Sequence, residues 1–212
     1  MKRVQIIGSG AVGLLVASFL VELNWDVHIV CRRQNQADLL NLGLKRENND
    51  GSVTEVKVKA STSMLYNADL TIVAVKSGQL SDIIGNLPKE TPIIFLQNGL
   101  AHYDLVSSLS WEHMAFGSAQ FGAYKVSDNI VSHRGRGVLK LAYLHKEASN
   151  DFLKPLLEMN HDDFPVVFEA DAEHMLIEKA IFNSLINPLT ALLCLKNGEL
   201  LTNEHAYKLL KR

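Results

Sequence analysis

The chain has 212 residues, 47% of them hydrophobic, and a formal net charge of −2. This nearly balanced charge gives no general electrostatic attraction to nucleic acid or to an acidic membrane surface. The length suffices for one ample hydrophobic core, or for one domain and part of another.

A glycine-rich run, IGSGAVG at residues 7–13, lies between an apolar segment of strand length and a longer apolar segment of helix length. The spacing G-x-G-x-x-G between a strand and a helix predicts a dinucleotide-binding loop. Gly8 permits the tight turn, Gly10 lets the backbone approach a pyrophosphate, and Gly13 lets the helix pack closely on the strand. The start of the helix offers unpaired N–H groups to the phosphates. The alternative is a bare turn between strand and helix.

The N-terminal Met-Lys-Arg followed by apolar residues also imitates a secretory signal. However, the glycines and Ser9 interrupt the apolar stretch, and no small-residue cleavage site closes it. The next strand follows directly, at residues 27–30, as a βαβ unit predicts. We therefore favour the dinucleotide-binding interpretation.

Further along, residues 34–42 predict a short helix. Residues 43–60 predict a β-hairpin, because an Asn-Asn-Asp-Gly turn precedes residues that alternate in polarity. The apolar segments 70–75 and 92–96 predict buried strands, with a helix between them around residues 79–86. Strands alternating with helices indicate an α/β fold with a parallel, doubly wound, Rossmann-like sheet.

The pattern changes over residues 114–144, where short strand-like runs are separated by glycines. We expect these runs to form the antiparallel edge of the same mixed sheet. Residues 152–159 predict a helix, residues 165–168 a last strand, and residues 171–193 a long helix. We expect a dinucleotide-binding domain over residues 1–169 and the start of an all-α C-terminal domain over residues 170–212.

The second predicted strand ends in Val30-Cys31-Arg32-Arg33. NAD-binding sheets carry an acidic residue near this position to hold the ribose 2′-hydroxyl, whereas a guanidinium can pair with the 2′-phosphate of NADP. The arginines therefore favour NADP over NAD. The alternative is that both arginines are solvated loop residues.

Polar residues follow two of the buried strands, in Val75-Lys76-Ser77-Gly78-Gln79 and in Gln97-Asn98-Gly99. Open α/β sheets bind their ligands at the carboxyl ends of strands, so both segments are candidate binding loops. Ordinary solvated loops are the alternative.

The long helix carries Lys179, Asn183 and Asn187 at intervals of four residues, which places them on one face. The residues between them are mostly apolar, so we expect an otherwise buried helix whose polar stripe faces a cleft. A partly buried lysine there can donate a proton with a lowered pKa. A solvent-facing stripe is the alternative.

Together these segments resemble the ketopantoate reductase family over nearly the whole chain. The matching stretches are GSGAVG, VAVKSGQ, IIFLQNG, GSAQFGA, HRGRG and EKAIFNSLINPLTALL followed by KNGEL. The segment LINPLTA with the following NGEL is the most specific part, because a generic Rossmann enzyme is not expected to carry it. The resemblance implies NADPH-dependent reduction of 2-dehydropantoate to pantoate, a step toward pantothenate and coenzyme A.

The resemblance also implies roles for single residues. Lys179 is implied to be the general acid. Cofactor binding is implied for Gly8, Ser9, Gly10, Ala11, Val12, Gly13, Arg32, Lys76, Gln79, Asn98 and Ala123. Substrate binding is implied for Asn98, Asn183, Asn187 and Asn197. No metal site is expected.

Two features depart from the family pattern. Family members are longer, and the region in which they carry a serine and a glutamate at the substrate site follows the position of Arg212. We therefore expect this chain to lack much of the helical domain. The family's Thr-Thr-His-Gly-Ala-like loop reads Ser118-Ala119-Gln120-Phe121-Gly122-Ala123 here, with Phe121 at the histidine position.

Two alternative functions stay open: a reductase of another branched 2-oxoacid, and a non-catalytic NADP-binding protein. The expected partners are a small 2-oxoacid and a second copy of the chain in a homodimer, with no nucleic acid and no membrane. The two distant cysteines, Cys31 and Cys194, form no C-x-x-C motif and suit the reducing cytoplasm.

Overall fold

The computed structural model of the chain describes residues 2–145, 151–159 and 161–210. The strands, numbered in chain order, are β1 (Arg3–Ile7), β2 (Asp26–Val30), β3 (Leu44–Glu47), β4 (Val53–Val56), β5 (Lys59–Ser61), β6 (Leu70–Val73), β7 (Ile93–Phe95), β8 (Met114–Ala119), β9 (Gly122–Lys125), β10 (Ile130–Gly135), β11 (Leu139–Tyr143) and β12 (Val166–Phe168). The helices are α1 (Ala11–Glu22), α2 (Gln34–Leu42), α3 (Leu80–Ile83), α4 (Tyr103–Ser107), α5 (Lys154–Leu157), α6 (Ala172–Leu193), α7 (Glu199–Thr202) and α8 (Glu204–Leu210).

The central sheet has the strand order β12-β11-β8-β7-β6-β1-β2-β5. All neighbours from β8 to β5 pair in parallel, and their order is that of a Rossmann sheet. β11 pairs antiparallel with β8, and β12 pairs parallel with β11. The α/β class and the Rossmann-like sheet expected from the sequence are therefore confirmed.

Helices cover both faces of this sheet. On one face, Leu14 and Phe19 of α1 pack in a core with strand residues such as Ile72. On the other face, Val106 of α4 and Met175 of α6 pack with a second set of strand residues. Because side chains alternate across a strand, the buried strands supply both cores at once, which explains their continuous apolar sequences.

The predicted hairpin is confirmed, since β3 and β4 pair antiparallel around the turn at residues 48–51. It belongs, however, to a separate four-stranded sheet with the order β4-β3-β10-β9. β10 lies parallel to β3, and Lys45 is paired with Ile130. The expectation that residues 114–144 form the antiparallel edge of a mixed sheet is confirmed for β8 and β11. It is wrong for β9 and β10, which lie in the second sheet and pack on α1.

A buried arginine joins the second sheet to α1. Arg46 of β3 is 3% exposed, and its Nη1 lies 2.7 Å from Oε2 of Glu22. The same nitrogen donates to Oγ of Ser18 at 3.1 Å. The guanidinium carbon lies 3.8 Å from the centre of the Phe19 ring. Pairing, hydrogen bonding and stacking together compensate the desolvation of this charge.

Two of the predicted helices form as expected, and two others are shorter than expected. The helices α2 and α6 form where they were expected, and Asp171 caps α6 by accepting a hydrogen bond from the His174 backbone N–H at 2.9 Å. The helix expected around residues 79–86 is a series of short turns, in which α3 lies between the 3₁₀ turns Ser77–Gln79 and Ile84–Asn86. The helix expected over residues 152–159 is reduced to the single turn of α5.

His102, which precedes α4, is buried without a hydrogen-bonding partner among the described residues. Its side chain is 1% exposed, and neither ring nitrogen has a partner. The ring packs edge-on against Phe116, with the ring centres 5.4 Å apart. Burial lowers the pKa of His102 from 6.5 to about 4, because the apolar surroundings penalise the charged form.

This burial makes the stability of the chain sensitive to acid. Between pH 6.5 and about 4 the unfolded chain protonates this histidine while the folded chain does not, so stability falls as pH falls. The full loss attributable to His102 is about 3 kcal/mol. We expect His102→Leu to flatten the pH dependence of urea unfolding over this range. The exposed His205→Leu serves as the control, and an equal slope in both variants would contradict the assignment.

Candidate functional site

The glycine run forms a turn in which three backbone segments meet without room for side chains. Gly8 has φ +116°, and a Cβ on it would lie 2.8 Å from the carbonyl carbon of Ala74, just after β6. A Cβ on Gly13 would overlap the carbonyl oxygen of Gly8 and lie 3.3 Å from Cβ of Ala74. Glycine is therefore required by sterics at both positions.

Gly10 differs, because a Cβ built on it would meet nothing within 4 Å. It is the N-cap residue of α1, and no side chain caps the helix there. The first N–H groups of α1 therefore have no side-chain cap, an arrangement that suits the binding of phosphate groups. The turn thus has room for a side chain at Gly10 and none at Gly8 or Gly13.

A cavity of about 790 Å³ opens beside this turn. It lies at the carboxyl ends of β1, β2 and β6, where doubly wound sheets bind ligands. Six residues singled out in the sequence line it: Gly8, Ser9, Gly10, Arg32, Lys76 and Gln79. The other five cofactor candidates, Ala11, Val12, Gly13, Asn98 and Ala123, do not line it.

The wall of the cavity is strongly basic. Four cationic side chains line the cavity, namely Arg32, Arg33, Lys76 and Lys125. Asp82 is the one acidic side chain among the described residues that line it. Such a wall suits a ligand that carries several phosphate groups.

Asp128 neutralises part of this charge. Nη2 of Arg33 lies 2.9 and 3.0 Å from its two carboxylate oxygens, and Nζ of Lys125 lies 2.7 Å from Oδ1. The hydrogen bond from Lys125 is the main cause of a lowered pKa at Asp128. Arg32 makes no ion pair within the described part of the chain, so its guanidinium is available to an anion.

Gln36 of α2 connects the glycine turn to the same network. The Ser9 hydroxyl donates to its Oε1 at 2.8 Å, and its Nε2 donates to the carbonyl oxygens of Ser9 and Asp128 at 3.2 and 3.0 Å. Sequence reasoning missed Gln36, Lys125 and Asp128. Gln36 stands within a predicted helix, and Asp128 is 95 residues from Arg33, so neither carried a local signal.

Lys179 lies at a second, smaller cavity of about 240 Å³. The cavity is lined by Gln120, Glu178, Lys179 and Phe182. Burial lowers the pKa of Lys179, as the sequence analysis anticipated for a proton donor. Lys179 on α6 therefore faces the loop that follows β8.

Close backbone contacts at Gly122 and Gly137 shape that loop. A Cβ on Gly137 would overlap the carbonyl oxygen of Gln120, and a Cβ on Gly122 would lie 2.8 Å from the backbone nitrogen of Gly135. Phe121, at the position where the family carries histidine, stacks on Phe164 with the ring centres 5.2 Å apart. Phe121 is therefore a packing residue, while Gln120 lines the Lys179 cavity.

The remainder of α6 does not match the expectation of a buried helix with one polar stripe. Its buried residues are Ala172, Met175 and Leu176, all in the first two turns. Ile181 and Leu185 are each 56% exposed, so the apolar residues beside the stripe face outward. That expectation is wrong for the described residues, because most apolar side chains of the later turns stay exposed although α8 packs against α6.

The asparagine candidates lie outside both cavities. Asn183 is partly buried on α6, while Asn187 and Asn197 are exposed. Asn98 is also exposed, just after β7. Its neighbour Gln97 is buried and donates from Nε2 to the carbonyl oxygens of Val73 and Val75, at 3.0 and 3.2 Å.

The described residues hold neither a cluster of metal ligands nor a helix suited to span a membrane. Residues 2–145, 151–159 and 161–210 contain no group of three or more His, Cys, Asp or Glu side chains that could hold a metal ion. Over the same ranges, none of the helices combines the length and the apolar composition that crossing a membrane requires.

Comparison with known proteins identifies relatives along nearly the whole chain. The model of the family ketopantoate reductase PanE/ApbA matches residues 4–146, and the model of its C-terminal region matches residues 171–212. A 2-dehydropantoate 2-reductase of Bacillus subtilis is 40% identical over 203 residues, which cover 94% of this chain and 67% of that protein.

Solved structures agree with these matches. The crystal structure of a probable 2-dehydropantoate 2-reductase from Bacillus subtilis has a TM-score of 0.81 and 38% identity, covering 99% of this chain and 72% of that one. A D-mandelate dehydrogenase solved with NADH and anilino(oxo)acetate has a TM-score of 0.82 at 21% identity, covering 98% of this chain and 69% of that one. The second likeness shows the fold alone.

The steric difference among the three glycines is directly testable. We expect Gly13→Ala to lower the free energy of unfolding by about 2–3 kcal/mol, because the methyl group overlaps the Gly8 carbonyl. Gly10→Ala should change it by less than about 1 kcal/mol, since its Cβ points into open space. Urea unfolding followed by circular dichroism measures both. Equal losses in the two variants would contradict the geometry of the turn.

Proposed function

Because the chain belongs to the ketopantoate reductase family, we propose that it reduces 2-dehydropantoate to pantoate, with NADPH as the cofactor. This reaction is a step toward pantothenate and coenzyme A. The observation that carries the proposal is the basic cavity of about 790 Å³ at the carboxyl ends of β1, β2 and β6, bounded by the glycine turn. A bound nicotinamide would supply the hydride, and the protein would supply the position and the proton.

The proposed cofactor contacts follow the shape and charge of this cavity. Ser9 and Gly10, with the first turn of α1 from Ala11 to Gly13, would hold the pyrophosphate through backbone N–H groups. Gly8, whose N–H donates to the carbonyl oxygen of Val30, would line the turn beside it. Arg32 would pair with the ribose 2′-phosphate, which supports NADPH rather than NADH. Further along, Lys76 and Gln79 would line the path toward the nicotinamide, with Asn98 and Ala123 at that end.

Lys179 is the proposed general acid. Reduction of the ketone carbon builds negative charge on its oxygen, and an ammonium group beside that oxygen stabilises the charge and donates a proton. Burial lowers the pKa of Lys179, which makes its ammonium a stronger acid near neutral pH. The proposed substrate contacts are the side-chain amides of Asn98, Asn183, Asn187 and Asn197, which would bind the substrate's hydroxyl and carboxylate groups.

We propose the domain division given by the sequence, with a Rossmann domain over residues 1–169 and part of a helical domain over residues 170–212. Separate family matches to residues 4–146 and 171–212 support it. The exposed apolar side chains of α6 are consistent with a helical region that packs against a second copy in a homodimer. We propose the cytoplasm as the location.

Arg32 and Arg33 offer a matched pair for testing the cofactor. We expect Arg32→Gln to weaken NADPH binding by about tenfold or more and NADH binding by less than about twofold, because only NADPH carries the 2′-phosphate. Arg33→Gln should have a smaller effect, since Asp128 already binds this guanidinium. Fluorescence titration measures all four affinities. Equal weakening for both cofactors would contradict the proposed 2′-phosphate contact.

Lys179→Ala tests the chemistry. We expect kcat for NADPH oxidation with 2-dehydropantoate to fall about 10²–10⁴-fold, the usual contribution of a general acid, while NADPH affinity stays within about twofold. The exposed lysine variant Lys208→Ala is the control. Unchanged turnover in Lys179→Ala would exclude the proposed acid. NADPH binding by the unaltered chain without turnover would favour another 2-oxoacid or the non-catalytic alternative.

A further inference from the structure

Lys140 binds two carboxylates that stand on either side of the connection between the central sheet and α6. It lies on β11, its side chain is 18% exposed, and its Nζ is 3.0 Å from Oε1 of Glu169 and 3.0 Å from Oε2 of Glu178. Glu169 follows β12, whereas Glu178 lies in the second turn of α6. One ammonium group therefore joins the end of the sheet to the helix.

Glu169, the carboxylate on the sheet side, is held in place by its backbone. The backbone N–H of Glu169 donates to the carbonyl oxygen of Leu141 at 2.8 Å, which extends the pairing of β12 with β11 by one residue. Lys140 is next to Leu141 on the same strand. Glu169 and Lys140 thus both belong to the edge of the central sheet, and Glu178 of α6 binds Lys140 from the helix.

This attachment lies where α6 leaves the body of the protein. The last buried apolar residue of α6 is Leu176, and Ile181 and Phe182 are already 56% and 55% exposed. Glu178 comes between these two regions and directly precedes Lys179. Beyond Leu176, the Lys140 contact is therefore an ion pair that joins the helix to the sheet directly beside the lysine.

We propose that Lys140 is a positioning residue that clamps the start of α6 to the sheet and so sets where Lys179 stands over the cavity it shares with Gln120. This inference rests on the proposed role of Lys179 as the general acid. The charges of the clamp are maintained near neutral pH, because Glu169 and Glu178 raise the pKa of Lys140 and Lys140 lowers that of Glu178. Small displacements of a catalytic group cost much of its rate, so the clamp acts on turnover more than on cofactor binding.

The test compares Lys140→Met with Lys140→Arg and with the surface control Lys154→Met, whose lysine pairs with Glu158 on α5. We expect Lys140→Met to lower kcat about tenfold and to leave the Kd for NADPH within about twofold. Lys140→Arg should restore most of the rate, because a guanidinium can bind both carboxylates. Lys154→Met should leave both quantities unchanged.

A double variant separates the clamp from a direct effect of either residue. Glu178→Gln breaks the same contact from the helix side, so adding it to Lys140→Met should lower kcat no further. Additive losses, or a Lys140→Met variant with unaltered kcat, would overturn the proposal.

Hydrogen exchange of α6 makes the test independent of turnover. We expect amides in the first two turns of α6 to exchange about tenfold faster in Lys140→Met, with the strands of the central sheet unaffected. This measurement tests whether Lys140 holds the start of α6, and it does so even if the chain does not reduce 2-dehydropantoate. Unaltered exchange in α6 would overturn the clamp whatever the activity.

Discussion

The fold and its candidate site both depend on the close approach of three backbones at Gly8, Gly13 and Ala74. A Cβ on Gly8 would meet the backbone after β6, and one on Gly13 would meet Gly8 itself. These contacts fix β1, α1 and β6 at distances that only glycine allows. Gly10, the N-cap residue of α1, lines the cavity beside this contact. The turn thus determines both the packing of α1 on the sheet and one wall of the cavity.

Around this turn, distant parts of the chain supply the charge. Asp128, between β9 and β10, binds Arg33 and Lys125 and accepts a hydrogen bond from Gln36. The second sheet therefore does more than cover α1, since it carries part of the cavity's rim. Asp128 also distinguishes two neighbouring arginines, because it occupies Arg33 and leaves Arg32 available to an anion.

Features set by local sequence could be predicted, and features set by distant contacts could not. The helix α2 has the bounds expected from the sequence, and Asp171 caps α6 as a short polar residue before a helix usually does. Alternating residues identified the hairpin at residues 43–60, but they could not show that β3 pairs with β10. The glycine spacing and Arg32 identified part of the cavity, while Lys125, Gln36 and Asp128 come together only in the folded chain. The apolar residues of α6 suggested burial, yet hydrophobicity alone does not reveal which neighbour covers a helix.

The parallel pairing of β3 with β10 has a consequence for the order of folding. Lys45 and Ile130 are paired although they are 85 residues apart, and such distant pairings form slowly because the intervening chain must first be ordered. The turn between β1 and α1, by contrast, is local and can form as soon as β6 is available. During synthesis, a nascent chain would thus form its glycine turn before it gains the Asp128 network. A ligand that binds only the completed cavity would then favour the fully folded state by mass action.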